Sequence, residues 1–308
     1  MRHATLRQLK VFETIARHLS FTRAAEELYL TQPTVSMQVK QLADSVGMPL
    51  FEQIGKRIHL TEAGEELLRT CREIADSLER FEMIIADRKG LKTGRLRLAV
   101  ITTAKYFAPR VLGAFCERYP GVDVALKVTN QERVLERMSQ NLDDLYIMGQ
   151  PPEHADVVSQ PFMDNPLVVI APHDHPLAGR KRISLQRIAE EPFLMREIGS
   201  GTRVSTQSLF DKHKIKLKVR MELGSNEAIK QGIAGGLGIA VLSRHSLALE
   251  GEKGPLVVLD VEHFPIRRHW YLIYPEGKTL SVVAQAFYDY LLDEGKQTTQ
   301  AMLAVKRR

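Results

Sequence analysis

The sequence predicts an α/β protein carrying an all-α winged helix-turn-helix head, and three observations support this. Residues 20–64 read as a helix, a tight turn, a second helix with a polar leading edge, and a basic hairpin. Residues 62 to about 89 hold an unbroken heptad of apolar positions. From Arg95 onward, short apolar strands alternate with helical patterns, the texture of a parallel sheet with right-handed crossovers.

In the head, Ala24, Ala25 and Leu28 form an apolar stripe on the first helix, and the small alanines let a second helix cross closely. The turn is Tyr29-Leu30-Thr31. Thr31 is the expected N-cap, its hydroxyl accepting an orphan amide of the next turn. Pro33 falls in the first helical turn, where its missing N–H costs nothing. The second helix buries Val35, Val39, Leu42 and Val46, at steps of four, three and four. Gln32, Ser36 and Lys40 are then left on one exposed face, with Met37, Gln38 and Gln41 beside it. Glutamine bonds adenine edges, and Met37 or the Thr34 methyl meets a thymine methyl. Lys40 reaches phosphate. Phe51–Leu60 reads as two short strands around Gly55-Lys56-Arg57, a turn whose two cations suit phosphate or the minor groove.

Thr61 is the expected N-cap of the connecting helix, with Glu62 and Glu65 at the positive end of its dipole. Leu67, Cys71, Ile74, Leu78, Phe81 and Ile85 follow at alternating steps of four and three. A helix packed only on its own domain would show a similar face. The strict heptad favours a partner helix, hence a coiled-coil dimer.

The C-terminal half opens with a strand at Arg95–Ile101 and a helix running from Thr102 through Cys116, broken at Pro120-Gly121. A strand at Val122–Val128, a helix at Gln131–Gln140 and a strand at Leu145–Met148 complete one α/β unit. A second such unit follows, with strands at Leu167–Ala171, Pro192–Met195, Lys216–Leu223 and Ile239–Leu242. Its helices are expected at Leu185–Ala189, Gln207–His213 and Ser225–Ala234. A strand at Trp270–Tyr274 and a helix at Leu280–Leu292 return to the first unit, leaving a cleft between two lobes. Gly235-Gly-Leu-Gly238 follows a helix and precedes a strand, so it reads as a helix stop and not a phosphate loop.

Ligands of open α/β sheets sit beyond the carboxyl ends of strands. That points to Thr102 and Thr103 in one lobe and to Ser200, Gly201, Thr202 and Arg203 in the other. Both segments begin helices, whose free amides attract anions. Ordinary helix capping by these hydroxyls explains any one of them equally well. Thr129, Gln150 and Asn226 are further candidates for the same cleft.

The 308 residues are enough for two to three domains, and 44 % hydrophobic residues support real cores. The formal charge of +6 favours a polyanionic partner. Residues 1–64 contribute eight Lys/Arg and six Asp/Glu, so the head carries only +2 of it. Other basic clusters lie at Arg180–Arg182, from Lys212 to Arg220, and at Lys306–Arg308. Cys71 and Cys116 have neither metal nor disulfide spacing and read as small buried hydrophobes. The N-terminus lacks a long apolar run, so a cytoplasmic protein without a membrane partner is expected.

Ser20-Phe-Thr-Arg-Ala-Ala, Thr31-Gln-Pro-Thr-Val-Ser, Leu50-Phe-Glu and Leu60-Thr-Glu-Ala-Gly resemble the N-terminal domain of LysR-type transcriptional regulators. The C-terminal half resembles the periplasmic-binding-protein-like effector domain of the same family. The resemblance implies DNA contacts from Gln32, Pro33, Ser36, the residue at 37 and Arg57. Many members carry Arg where this chain has Met37, and Met cannot donate a hydrogen bond. It also implies dimerisation through the connecting helix, with dimers often paired into tetramers. Met37–Leu42, Phe51–Arg57 and Gly224–Leu242 further resemble the branch that controls RuBisCO operons, in which Met37 is common. That resemblance implies activation of carbon-fixation genes by a phosphorylated sugar or acid, or by a nicotinamide nucleotide. A regulator of another metabolic operon with a different carboxylate effector is the alternative.

The expected organisation is therefore a winged helix-turn-helix at 1–61 and a dimerisation helix at 62–93. One effector lobe comprises 94–164 and 268–303, and the other comprises 165–267. The expected DNA-facing set is Thr31, Gln32, Pro33, Thr34, Ser36, Met37, Lys40, Lys56 and Arg57. Its target is promoter DNA with an interrupted dyad, and altered DNA bending or RNA polymerase contact would follow effector binding. No cofactor or metal is expected. An enzyme is the second hypothesis, but the chain shows no nucleophile elbow or zinc motif in context, and the prolines around His173-Asp174-His175 mark a turn. A purely architectural DNA binder is the third, which a complete two-lobed sensor disfavours.

Overall fold

The computed structural model describes residues 4–55, 57–88, 93–152, 155–248 and 254–295. Lys56, Lys89 and the basic tail, together with the 296–303 stretch assigned to the first lobe, lie outside them. The chain forms two compact units, Met1–Glu82 and Met83–Arg308.

The first unit contains α1 (Leu6–His18), α2 (Phe21–Glu27), α3 (Gln32–Val46), a hairpin of β1 (Phe51–Ile54) and β2 (Arg57–Leu60), and most of α4 (Glu62–Arg88). Thr5 and Gln8 close a capping box at the start of α1, and Ser20 caps α2. Ala24, Ala25, Val35, Val39 and Leu42 are buried with Phe12 and Ile15, while Leu28 and Val46 pack at the edge. Thr31 caps α3 by backbone alone. Its hydroxyl instead pairs with the Thr34 hydroxyl at 2.8 Å, and so does not accept an amide as expected. The hairpin packs through Phe51, whose ring lies 5.3 Å from Phe12 and 5.9 Å from Phe21. Thr61 does cap α4: its Oγ1 accepts from the Gly64 N–H at 3.1 Å and donates to the Pro49 carbonyl. A Cβ at Gly64 would lie 2.1 Å from the Leu50 carbonyl oxygen, so only glycine lets α4 begin this close to the hairpin.

The heptad on α4 divides. Leu67 and Cys71 are buried in the head core with Ile74 beside them, whereas Leu78, Phe81, Ile84 and Ile85 are exposed.

The second unit has two lobes. The first is built on a five-stranded sheet ordered β4-β3-β5-β12-β6. β3 (Gly94–Ile101) runs parallel to β4 (Val122–Thr129) and β5 (Leu145–Met148). β12 (His269–Pro275) runs antiparallel to β5 and to β6 (Val157–Asp164), a strand the sequence reading missed. α5 (Ala108–Arg118), α6 (Gln131–Ser139) and α10 (Val282–Tyr290) accompany the sheet, with Phe107, Phe115, Trp270 and Phe287 in the core. The single helix expected from Thr102 is two elements. A 3-10 turn at Thr102–Tyr106 ends at Phe107, whose φ of −130 breaks the run, and α5 starts afresh with Pro109 in its first turn.

The second lobe is mixed rather than parallel. β7 (Leu167–Pro172) is flanked antiparallel by β10 (Ala240–Ser243) and by β11 (Leu256–Leu259), another strand not foreseen. β8 (Phe193–Arg196) and β9 (Val219–Leu223) pair in parallel, and isolated parallel bridges join Ile183 to Val261 and Phe193 to Ile239. α7 (Leu185–Ala189), α8 (Gly201–Lys212) and α9 (Asn226–Ala234) complete the lobe. Two chain segments join the lobes side by side. The Asn165 N–H donates to the Arg268 carbonyl at 2.6 Å, and Leu167 and Ile266 exchange backbone bonds at 3.0 Å.

Candidate effector cleft and nucleic-acid interface

On α3, Thr31, Gln32, Pro33, Met37 and Lys40 are exposed, and Thr34 and Ser36 are half-buried. Met37 is 54 % exposed, a large apolar side chain held in water at the centre of a polar face. Gln32 Nε2 donates to Ser36 Oγ at 3.0 Å, so the two are oriented together before any ligand arrives. Gln41 is held by α1, its Oε1 accepting from Gln8 Nε2 at 3.3 Å. Arg57 is exposed at the tip of the hairpin, opposite Ile54. Gly55 has φ +63, the left-handed turn conformation that glycine adopts freely. This side of the head offers amide, hydroxyl, thioether and cationic groups on a helix and an adjoining turn, a set matched to base edges and phosphates.

The second site is a narrow cleft between the lobes of the second unit, lined from both. The carboxyl end of β3 supplies Ile101, Thr102 and Thr103, and the opening of α8 supplies Ser200, Gly201, Thr202 and Ser205. Arg196, Arg268, Asn165 and Asn130 complete most of the wall. Ser200 precedes α8, and its side chain caps no amide, which leaves the first N–H groups of the helix unclaimed by it.

Five of the expected cleft residues, Thr102, Thr103, Ser200, Gly201 and Thr202, thus line the one cleft from its two lobes. Four do not. Thr129 is held in the β3–β4 register opposite Ile101, and its neighbour Asn130 faces the cleft. Gln150 stands behind the wall and accepts from Arg268 Nη2. Asn226, 1 % exposed, is buried between Arg196, which donates to its Oδ1, and Thr103, whose hydroxyl accepts from its Nδ2 at 3.3 Å. Arg203 does not supply the cation. Its guanidinium is drawn to Glu222 on β9 and also donates to the Arg196 carbonyl at 2.8 Å.

The cations are instead Arg196 and Arg268. Arg196 is the last residue of β8, where strand-end reasoning stopped one residue short at Met195. It is 2 % exposed and binds Glu197 through Nε and Nη2 at 2.7 and 2.8 Å. Nη2 also reaches across to Thr102 Oγ1 at 3.1 Å. Arg268 enters β12 at the boundary where the chain returns to the first lobe, and that boundary was its only sequence signal.

Beside the cleft a further set of contacts joins the lobes. Tyr106 Oη donates to Glu227 at 2.6 Å, and Lys230 approaches the same carboxylate at 2.9 Å. Burial, then the Glu227 bond, pushes the Tyr106 phenol well above its ordinary pKa. His245 accepts from the Trp270 indole N–H at 3.0 Å, and burial lowers its pKa to about 4. Among the described residues, no group of three or more His, Cys, Asp and Glu could hold a metal, and no helix is long and apolar enough to cross a membrane.

Comparison with known proteins agrees with this division. Residues 6–65 match the bacterial regulatory helix-turn-helix proteins of the lysR family, and residues 89–296 match the LysR substrate binding domain. The chain is 54 % identical to the HTH-type transcriptional activator CmpR of Synechocystis sp. over 98 % of this chain and 100 % of that protein. It is also 54 % identical to the RuBisCO operon transcriptional regulator of Acidithiobacillus ferrooxidans, over 94 % of each. The Synechocystis CcmR regulatory domain, solved in complex with 2-PG, is 55 % identical with a TM-score of 0.63, covering 70 % of this chain and 99 % of that one.

Proposed function

The chain belongs to the LysR family of DNA-binding transcriptional regulators, and from that premise we propose that it activates carbon-fixation genes, RuBisCO operons among them, in response to a small anionic metabolite. The observation that carries the effector part is the interlobe cleft, where two guanidinium groups, several hydroxyls and the first turn of α8 border one cavity. A cleft with these cations and donors suits a compact phosphorylated or carboxylated acid. The CcmR domain solved with 2-PG (2-phosphoglycolate) supports the same chemical class.

In this reading Thr31, Gln32, Pro33, Thr34, Ser36, Met37 and Lys40 read an operator half-site, and Lys56 and Arg57 hold the backbone beside it. The exposed Leu78, Phe81, Ile84 and Ile85 of α4 join two chains, so that two heads span an interrupted dyad. Residues 1–61, 62–93, 94–164 with 268–303, and 165–267 then act as reader, joint and two sensor lobes. The protein works in the cytoplasm, and effector closure changes DNA bending or contact with RNA polymerase. A ligand shifts that equilibrium only by binding one lobe arrangement better than the other.

Footprinting at fixed salt upstream of the source cell's RuBisCO-type operon tests this, since backbone binding falls steeply with ionic strength. The expected result is a protected dyad whose footprint shortens or shifts with 2-phosphoglycolate, ribulose bisphosphate, phosphoenolpyruvate or NADPH. Tight protection indifferent to all four would remove the carbon-fixation assignment.

A further inference from the structure

The two arginines of the cleft differ in kind. Arg196 is paired with a carboxylate: Glu197 takes Nε and Nη2, Asn226 takes Nη1, and Thr102 shares Nη2. Its charge is cancelled by the adjoining carboxylate. Arg268 bonds only neutral acceptors among the described residues. Nη1 donates to Ser205 Oγ, Nη2 donates to Gln150 Oε1, and Nε and Nη2 each lie 3.4 Å from the Gly149 carbonyl, long for a hydrogen bond. A half-buried guanidinium without a counter-charge is disfavoured, and desolvation duly lowers the pKa of Arg268 from the ordinary arginine value. Arginine nonetheless stays protonated. The cleft wall therefore keeps one positive charge that its surroundings do not balance.

Its position adds a second fact. Ser205 belongs to α8 in one lobe, while Gly149 and Gln150 follow β5 in the other. The Arg268 carbonyl accepts from the N–H of Asn165, a residue 5 % exposed that also lines the cleft. Asn165 Oδ1 is buried with no hydrogen-bond partner. Oδ1 can only accept, whereas the Nδ2 of the same amide carries two N–H donors that an anion's oxygen in the cleft can take.

We infer that Arg268 is the residue that anchors the charged head of the effector, exchanging its contacts to Ser205 and Gln150 for the anion, while Asn165 Nδ2 donates to another oxygen of the same molecule. The inference rests on the reading of the cleft as an anion site and names the residue on which that site turns. Arg196, already neutralised, ties Thr102 to the second lobe and is a positioning residue. The exchange at Arg268 also links binding to lobe geometry. The two acceptors it releases lie in different lobes, so the bound and free forms differ in their interlobe tethers, as an effector requires.

Calorimetric titration of the full chain with 2-phosphoglycolate and with inorganic phosphate, at fixed salt, is the test. In Arg268→Met the anion should bind at least about thirty-fold more weakly than in the wild type, the scale for removing one partner of a buried charge pair. Arg268→Lys keeps the charge but loses the fork, and should recover part of the loss. Asn165→Ala should weaken 2-phosphoglycolate more than inorganic phosphate. Wild-type binding with Arg268→Met within three-fold of it would overturn the inference and leave the cleft reading intact. A wild type that binds neither anion would overturn both. Should Arg268→Met fail to fold, Arg268→Lys decides: a loss of tenfold or more supports the anchor, and unchanged affinity refutes it.

Discussion

Glu197→Gln separates the two roles of a carboxylate that both supports and silences Arg196. The two groups make a bidentate pair at 2.7 and 2.8 Å, with the arginine 2 % exposed and the glutamate half-buried. Removing one partner of a buried pair costs roughly 3–5 kcal/mol when nothing replaces it. Glutamine still accepts one hydrogen bond and the glutamate is partly hydrated, so about 2–3 kcal/mol is expected here. For a unit of this size each kcal/mol moves the midpoint by roughly 2–4 °C, so the Tm should fall by about 5–10 °C. The same change adds a unit of positive charge beside the cleft. At roughly 10 Å and an effective dielectric of about 20 that is worth about 1.7 kcal/mol to an anion, or more than tenfold in affinity. The variant should therefore be less stable alone and gain more from an anion than the wild type does. Scanning calorimetry of both proteins, with and without 2-phosphoglycolate, reads both effects. A Tm within 2 °C of wild type, or an anion-induced rise no larger than the wild type's, would refute the view of Glu197 as the counter-charge that silences Arg196.

Lys40→Ala should weaken DNA binding about equally across sequences and reduce the salt slope by about one for each head bound, measured by anisotropy at several salt concentrations. Phe81, 61 % exposed on α4, should anchor self-association, and Phe81→Glu should shift the sedimentation profile toward monomer. His245 supplies a pH prediction. Its folded pKa, about 4, lies below the ordinary value of 6.5, so above pH 6.5 it is neutral folded and unfolded and contributes no slope. Between pH 6.5 and 4 only the unfolded chain takes up that proton, and stability should fall by up to about 3 kcal/mol. In urea titrations across that window, His245→Gln should flatten this part of the slope.

How much of this was legible depended on how local the cause was. The α3 pattern of Val35, Val39 and Leu42 declared its buried face, because a helix repeats its environment every few residues. The Thr31 cap failed because a second hydroxyl, three residues on, competed for the first. On α4 the heptad was read as one seam, yet Leu67 and Cys71 pack inside the head while Phe81 does not. Periodicity reports an apolar face without saying what covers it. β6 and β11 were missed for a related reason. β6 runs from half-buried through exposed to buried positions without an inside–outside alternation, and β11 is four residues long. In the cleft, the Thr and Ser positions followed from strand ends, but the choice among Arg196, Arg203 and Arg268 did not. It depended on where Glu197 and Glu222 stand: Glu197 adjoins Arg196 along the chain, but Glu222 meets Arg203 only because the fold brings β9 beside α8, which one dimension does not show.

The placement of β12 also has a consequence for how the chain is made. β5, buried along its whole length, ends at Met148, and its antiparallel partner begins only at His269. A ribosome adding roughly 5–20 residues per second needs on the order of ten seconds to cover that interval. Through it the first sheet holds β3, β4 and β5 with one side of β5 unpaired, a strand edge of the kind that invites intermolecular pairing. The intervening segment can fold meanwhile, since its two ends meet at Leu167 and Ile266 and its core is its own. The sensor lobe that is first in sequence is thus the last to close, and its nascent form is where chaperone dependence and misassembly should concentrate.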